Sequence, residues 1–137
     1  MASRNLQTVQ GIYAAFGRGD VSAILDKLAE DVDWDYAYRT TPNPVPWLQA
    51  QRGRAGAAKF FLDGVGAIEL HRFALKALLE GPGLVVALVD VDATVKETGK
   101  RIVETDEVHI WHFDEAGMVT RFRHCADTYQ HAMAYQA

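Results

Sequence analysis

GLVVALVDVDATVKETGKRIVETDEVHIWHFD, residues 83–114, decides the fold of this chain. Two long runs keep a period of two, the β-strand period, and the turn residues of ETGK join them as an antiparallel hairpin. In the first run Val85, Ala87, Val89, Val91, Ala93 and Val95 share one side. Leu84, Val86, Leu88, Asp90, Asp92 and Thr94 share the other, which starts apolar and becomes acidic. The second run places Thr105, Glu107 and His109 on one face and sends His112 to the opposite face.

Working outward, IELHRFALKALLE precedes the hairpin across GPG, and GMVTRFRHCAD follows it across DEAG. These short turns predict a strongly bent antiparallel meander of four strands. Before it the character is helical. Leu6, Val9, Ile12, Tyr13 and Phe16 recur at helical spacing, GRGD stops that helix, and Asp20 offers an N-cap for a second helix carrying Ile24, Leu25 and Leu28. AEDVDWDY alternates Val32, Trp34 and Tyr36 with aspartates, a half-buried strand with one acidic face. The proline-rich TTPNPVPWLQAQRG reads as a structured loop able to line or cover a cavity, and AGAAKFFLDGVGAI as a third helix bearing Phe60 and Phe61. Asp127 caps a last short helix, with Tyr129, Ala132, Met133 and Tyr135 as its apolar side. Helices followed by a meander define an α+β chain, a single domain over residues 1–137.

Composition narrows the function. A formal net charge of −4 gives no electrostatic ground for nucleic acid. The most apolar run, GLVVALVDV, is strand-sized and too short to cross a bilayer, and MASRNLQTVQ lacks the apolar stretch of a secretory signal. Cys125 is the one cysteine, which excludes an intrachain disulfide and points to the cytoplasm.

The order of elements, and the segments VQGIYAAFGRGD, DVDWDY, RGRAGAAKFF and GMVTRFRHCADTYQHA, resemble the nuclear-transport-factor-2-like superfamily, in its SnoaL-like and ketosteroid-isomerase-related branch. The resemblance covers nearly the whole chain. It implies a cone of curved antiparallel sheet closed by N-terminal helices, with a pocket on the concave face and a homodimer contact on the convex face. The alternating valines of residues 85–95 are the expected dimer surface. The resemblance also implies a small-molecule ligand, apolar or polycyclic, and acid/base chemistry without a cofactor. Isomerases, cyclases and dehydratases share this cone with non-catalytic modules.

Matched to ketosteroid isomerases, His109 stands where those enzymes carry the acid that donates to the oxyanion. Phe122 and His124 take pocket-facing positions on the last strand. The general-base aspartate is matched by Tyr36, which titrates too high to serve at neutral pH. The epoxide-hydrolase set is not reproduced, and Asp92 alone remains in place. The expected catalytic group is therefore His124 as base, with His109, Glu107, Asp90 and Asp92 around it. Tyr13, Trp34, Tyr36, Phe60, Thr105 and Phe122 are the expected ligand wall. The alternative reading makes the histidines hydrogen-bonded wall residues of a binding module. No metal is expected, because no HxH or HExxH spacing occurs.

Overall fold

The structure, a computed structural model, describes residues 3–137. Ser3 accepts the Leu6 N–H and caps α1 (Arg4–Gly17), which buries Val9, Ile12 and Ala15. The chain turns at Gly19, and Asp20 caps α2 (Val21–Leu25) by accepting the Ala23 N–H. β1 (Leu28–Trp34) leads into a 3-10 turn at Tyr36–Arg39 and then into the proline-rich crossing. β2 (Gln51–Arg52) and α3 (Gly53–Lys59) follow, and α3 widens into a π-helical turn at Phe60–Gly64. The meander comprises β3 (Ile68–Gly81), β4 (Leu84–Val95), β5 (Arg101–Phe113) and β6 (Val119–Cys125), and α4 (Thr128–Tyr135) comes last.

The sheet is a curved six-stranded one in the order β2-β1-β6-β5-β4-β3. It is mixed rather than wholly antiparallel, because β1 runs parallel to β6, with Trp34 opposite Phe122. Chain length permits this: most of the molecule lies between the two strands, so no tight turn dictates their direction. α1, α2 and α3 cover the concave side, where Trp34, Trp111, Phe122 and Val85 form the core with Val9, Ile12 and Ile24. Trp34 stacks on Phe122 at a ring separation of 4.1 Å. The crossing loop buries Val45, Trp47 and Leu48 against Val95, Ile102 and Ala134, which seals one end of the cone.

The two faces of β4 are the reverse of the sequence expectation. Val85, Ala87, Val89, Val91, Ala93 and Val95 are all buried on the concave side, so they are core and not a dimer surface. Asp90 and Asp92 lie on the convex side, away from the cavity. Asp90 pairs with Arg72 and with Lys76, the latter at 2.9 Å, and Asp92 accepts from Arg101 at 2.6 to 3.0 Å. Alternation tells which residues share a face but not which face the helices will cover. The carboxylates decide it, since burying two of them without partners costs far more than leaving three aliphatic side chains half exposed.

α4 also turns differently from expectation. His131 and Ala134 are its buried residues, whereas Tyr129 and Met133 are exposed. Its cap is as expected, Asp127 Oδ1 accepting the Gln130 N–H at 3.1 Å. Among the described residues no helix is long and apolar enough to cross a membrane.

Candidate active site

A cavity of about 80 Å³ lies between the helices and the concave sheet, lined by Trp34, Phe60, Phe61, Phe73, Trp111 and Phe122 among others. Its polar side chains are few: Tyr13, Glu107, His109, His124 and, toward the sealed end, His131 and Trp47. A second hollow of about 450 Å³ adjoins it toward α2 and shares Phe16, Phe61 and Phe73 with it. These three rings stand between the inner cavity and the outer hollow, with Phe16 and Phe73 only 4.8 Å apart.

The polar groups reach one place through specific backbone devices. β5 carries a bulge. Val89 of β4 pairs with Glu107 while Val91 pairs with Glu104, so three residue steps on β5 face two on β4. Asp106 takes up the extra step in a left-handed conformation, φ 64. Glu104 and Glu107 therefore both turn inward, although regular alternation would separate them. Thr105, expected in the wall, is exposed outside for the same reason.

A second left-handed residue, Asp35 at φ 55, acts at the end of β1. It reverses the alternation there, so Asp35 goes in and is fully buried. Tyr36 goes out. Its ring packs against His112 and beneath Arg121 instead of in the ligand wall. Asp33 remains outside, where Arg39 beside it holds its carboxyl below the usual range.

One oxygen of Glu107 gathers two imidazoles, His109 Nε2 at 2.7 Å and His124 Nε2 at 2.8 Å. A carboxylate only accepts, so each nitrogen donates. Burial lowers the affinity of His109 for a second proton, leaving it neutral. Its Nδ1 then accepts from the Tyr13 hydroxyl, which in turn accepts the Trp111 indole N–H at 3.1 Å. Burial also keeps Tyr13 protonated, well above its ordinary range.

For His124, burial opposes the charge but is outweighed by the Glu107 carboxylate, its hydrogen bond and Asp35 behind it, and the ring is pushed up to about 9. Glu107 is the converse. Burial would raise it, yet the His124 charge and the two imidazole hydrogen bonds hold it well below the usual carboxylate range. Asp35 accepts the backbone N–H of His124 on Oδ1 at 2.9 Å and sets Oδ2 4.0 Å from His124 Nδ1. Burial pushes Asp35 up to about 7 against the pull of His124. At the sealed end, His131 Nε2 meets Glu104 Oε1 at 2.6 Å, and Trp47 donates to His131 Nδ1 at 2.8 Å. The donor atoms of Glu107, His109 and His124 lie within 4.8 Å of one another, as do those of Glu104, Glu107 and His131. Hydrogen bonds already join Glu107 to both histidines in the first trio and Glu104 to His131 in the second.

The SnoaL-like domain pattern matches residues 9–122, from the first buried turn of α1 to the strand that carries His124. The chain belongs to the SnoaL-like family. Its fold is that of the nuclear-transport-factor-2-like proteins, as in a protein of unknown function from Burkholderia pseudomallei K96243. That protein is 27% identical, with 99% of this chain and 100% of that one covered at a TM-score of 0.83. TerC, co-crystallised with polyporic acid, is 24% identical over 96% of this chain and 98% of its own, TM-score 0.74. A Δ5-3-ketosteroid isomerase from Mycobacterium sp. is 21% identical over 90% and 92%, TM-score 0.67. No curated protein matches the chain.

Of the site residues expected from sequence, this SnoaL-like chain brings Glu107, His109, His124, Tyr13, Trp34, Phe60 and Phe122 to the cavity. It keeps Asp90, Asp92, Thr105 and Tyr36 out. Sequence reasoning missed Asp35, Glu104 and His131. Only His131 left a signal: it lies three positions before Ala134 on α4, so the two share a helical face.

Proposed function

We propose that this SnoaL-like chain is a cofactor-free acid/base enzyme acting on a small, largely apolar carbonyl compound. The observation that carries this reading is Glu107, an anion accepting from both His109 and His124 in the wall of an otherwise aromatic cavity. Such a wall holds a flat apolar body, while the carboxylate and imidazoles meet its reacting end. A ligand larger than the inner cavity extends between Phe16, Phe61 and Phe73 into the outer hollow.

The roles follow from charge. His124, pushed up to about 9, is an imidazolium at neutral pH and acts as the acid partner, not the base. Glu107 is the base. It takes a proton from the carbon beside the carbonyl: the C–H bond breaks, its electron pair forms a C=C bond, and the carbonyl π pair moves to oxygen. As Glu107 gains the proton it ceases to hold the two imidazole N–H groups, which become free to donate to the enolate oxygen. One anion replaces another opposite a fixed cation. Return of the proton at a different carbon completes an isomerisation.

The test is deuterium exchange at the acidic carbon of 2-tetralone, followed by proton NMR. Exchange above background is expected, with a rate that falls as pH rises through about 9 and drops about 10²- to 10⁴-fold in Glu107→Gln. Bound 2-tetralone with no exchange would favour the second reading, a ligand-binding module. That reading has support in the site, because both ring nitrogens of His109 are already occupied.

We also infer a homodimer through the convex sheet face, where Leu84, Val86, Leu88, Val108 and Ile110 remain half exposed beneath no helix. The free, half-buried Cys125 suits the cytoplasm.

A further inference from the structure

Glu104 is a buried acid that the proton-transfer scheme leaves idle. The β5 bulge turns it inward, and one of its oxygens, one from Glu107 and a nitrogen of His131 all lie within 4.8 Å of one another. Only 6% of Glu104 and 5% of Glu107 is exposed. Two carboxyls this close, and this dry, do not both ionise.

Their neighbours decide which of them carries the charge. Glu107 has the His124 imidazolium 2.8 Å away and the His109 N–H at 2.7 Å. Glu104 faces His131, whose tautomer is set by Trp47. An indole can only donate, so Nδ1 accepts, and the ring's proton sits on Nε2 with the ring neutral. The second donor to Glu104 is the backbone N–H of Asp127, at 2.8 Å on Oε2. Both donors favour charge on Glu104, but neither carries a full positive charge of its own. The anion therefore settles on Glu107 beside the imidazolium. Burial, and the nearness of Glu107, push Glu104 the opposite way, above the usual carboxylate range.

We propose that Glu104 is a positioning residue that carries the single proton of a carboxyl pair with Glu107, so that Glu107, beside His124, is the pair's one anion. This deepens the proton-transfer reading and rests on it for its purpose. The ionisable groups facing the pair are His109 on β5, His124 on β6 and His131 on α4, with the backbone N–H of Asp127 beside them and Asp35 and Tyr13 farther out. Through His131 and Asp127, α4 thus takes part in setting the charge of the cavity. A neutral Glu104 also has a use in turnover: it adds no second negative charge to the cavity, so the Glu107 carboxylate alone takes the substrate's proton.

The experiment uses the ligand-free protein, labelled with 13C at the glutamate side-chain carboxyls and 15N in the histidine rings, titrated by NMR from about pH 3 to 11. One glutamate carboxyl is expected to keep its proton to a higher pH than all the others, with its resonance absent from Glu104→Gln. The amide mimics a protonated acid, so the His124 midpoint in that variant should move by less than about half a unit. Glutamates that all titrate in the ordinary range, at about 4.3, would overturn the proposal. So would a fall of about one unit or more in the His124 midpoint, since that shows a charge removed. If Glu104→Gln does not fold, Glu107→Gln serves instead. Its Glu104 resonance is expected to titrate at a lower pH than in the parent, and a resonance indifferent to the loss of Glu107 overturns the pair. No ligand enters these titrations, so their failure leaves the tetralone result standing, and the reverse also holds.

Discussion

Asp35 shows how much one residue can shift. Its left-handed backbone places a carboxyl in the interior behind His124, and in doing so evicts Tyr36. Both buried groups make the fold less stable as pH rises. Asp35 binds its proton more tightly in the folded chain, up to about 7 against an ordinary value near 4, so folding loses free energy as pH climbs through that interval. His124 is also raised. The stability it contributes is complete below its unfolded value, near 6.5, and is lost as pH rises through about 9. Thermal melts should therefore fall from about pH 7 to 9, as His124 gives up its proton; below about pH 7 the loss from Asp35 is opposed by His109 and Glu107, whose lowered values make folding gain as pH rises. Asp35→Asn is expected to make the slope below about pH 7 more positive than in the parent, and a slope unchanged there would show that Asp35 does not titrate with folding. Neither residue's part was fully legible in the sequence. His124 points into the cavity as β6 alternates without interruption, whereas the Asp35 side chain depends on a backbone angle that aspartate adopts only at particular sites.

At the scale of elements, strands and helix caps were legible, and irregularities were not. The hairpins follow from period-two runs broken by Gly83 and Gly99, both at positive φ. The α4 cap follows from Asp127. Replacing Asp127 with Ala removes the side-chain oxygen that accepts the Gln130 N–H but keeps the backbone N–H given to Glu104. The expected loss is about 1 kcal/mol in denaturant melts. Deuterium exchange on 2-tetralone should remain near the parent rate, and an exchange defect much larger than the stability loss would place the Asp127 carboxyl in the chemistry itself. The β5 bulge was illegible for a plain reason: ETDEV contains no glycine or proline, and nothing in it announces that two glutamates three apart will share a face. Regular alternation points Thr105 inward, and the bulge turns it outward.

For the whole molecule, the corrected faces of β4 decide how copies meet. Val89 is buried beneath the helices, so Val89→Asp is expected to unfold the chain and not to separate subunits. Val86 is half exposed on the convex face, and Val86→Asp should yield a folded monomer where light scattering finds a parent dimer. A parent that scatters as a monomer at micromolar concentration would sink the dimer. The sheet order has another consequence, for the order of events during folding. β1 is among the first strands made, yet its partner β6 comes near the end of the chain, and the Asp35–His124 hydrogen bond spans 89 positions. Such distant pairing is slow, because a long loop must close before any contact compensates for the lost freedom. While a ribosome still holds residues 119–125, Trp34 lacks the Phe122 ring it stacks on and Glu107 lacks its imidazolium. A chain truncated before β6 would keep most of its hairpins, and Glu107 with His109, but not the His124 imidazolium beside them, so the charge arrangement of the cavity is complete only with the last strand of this sheet.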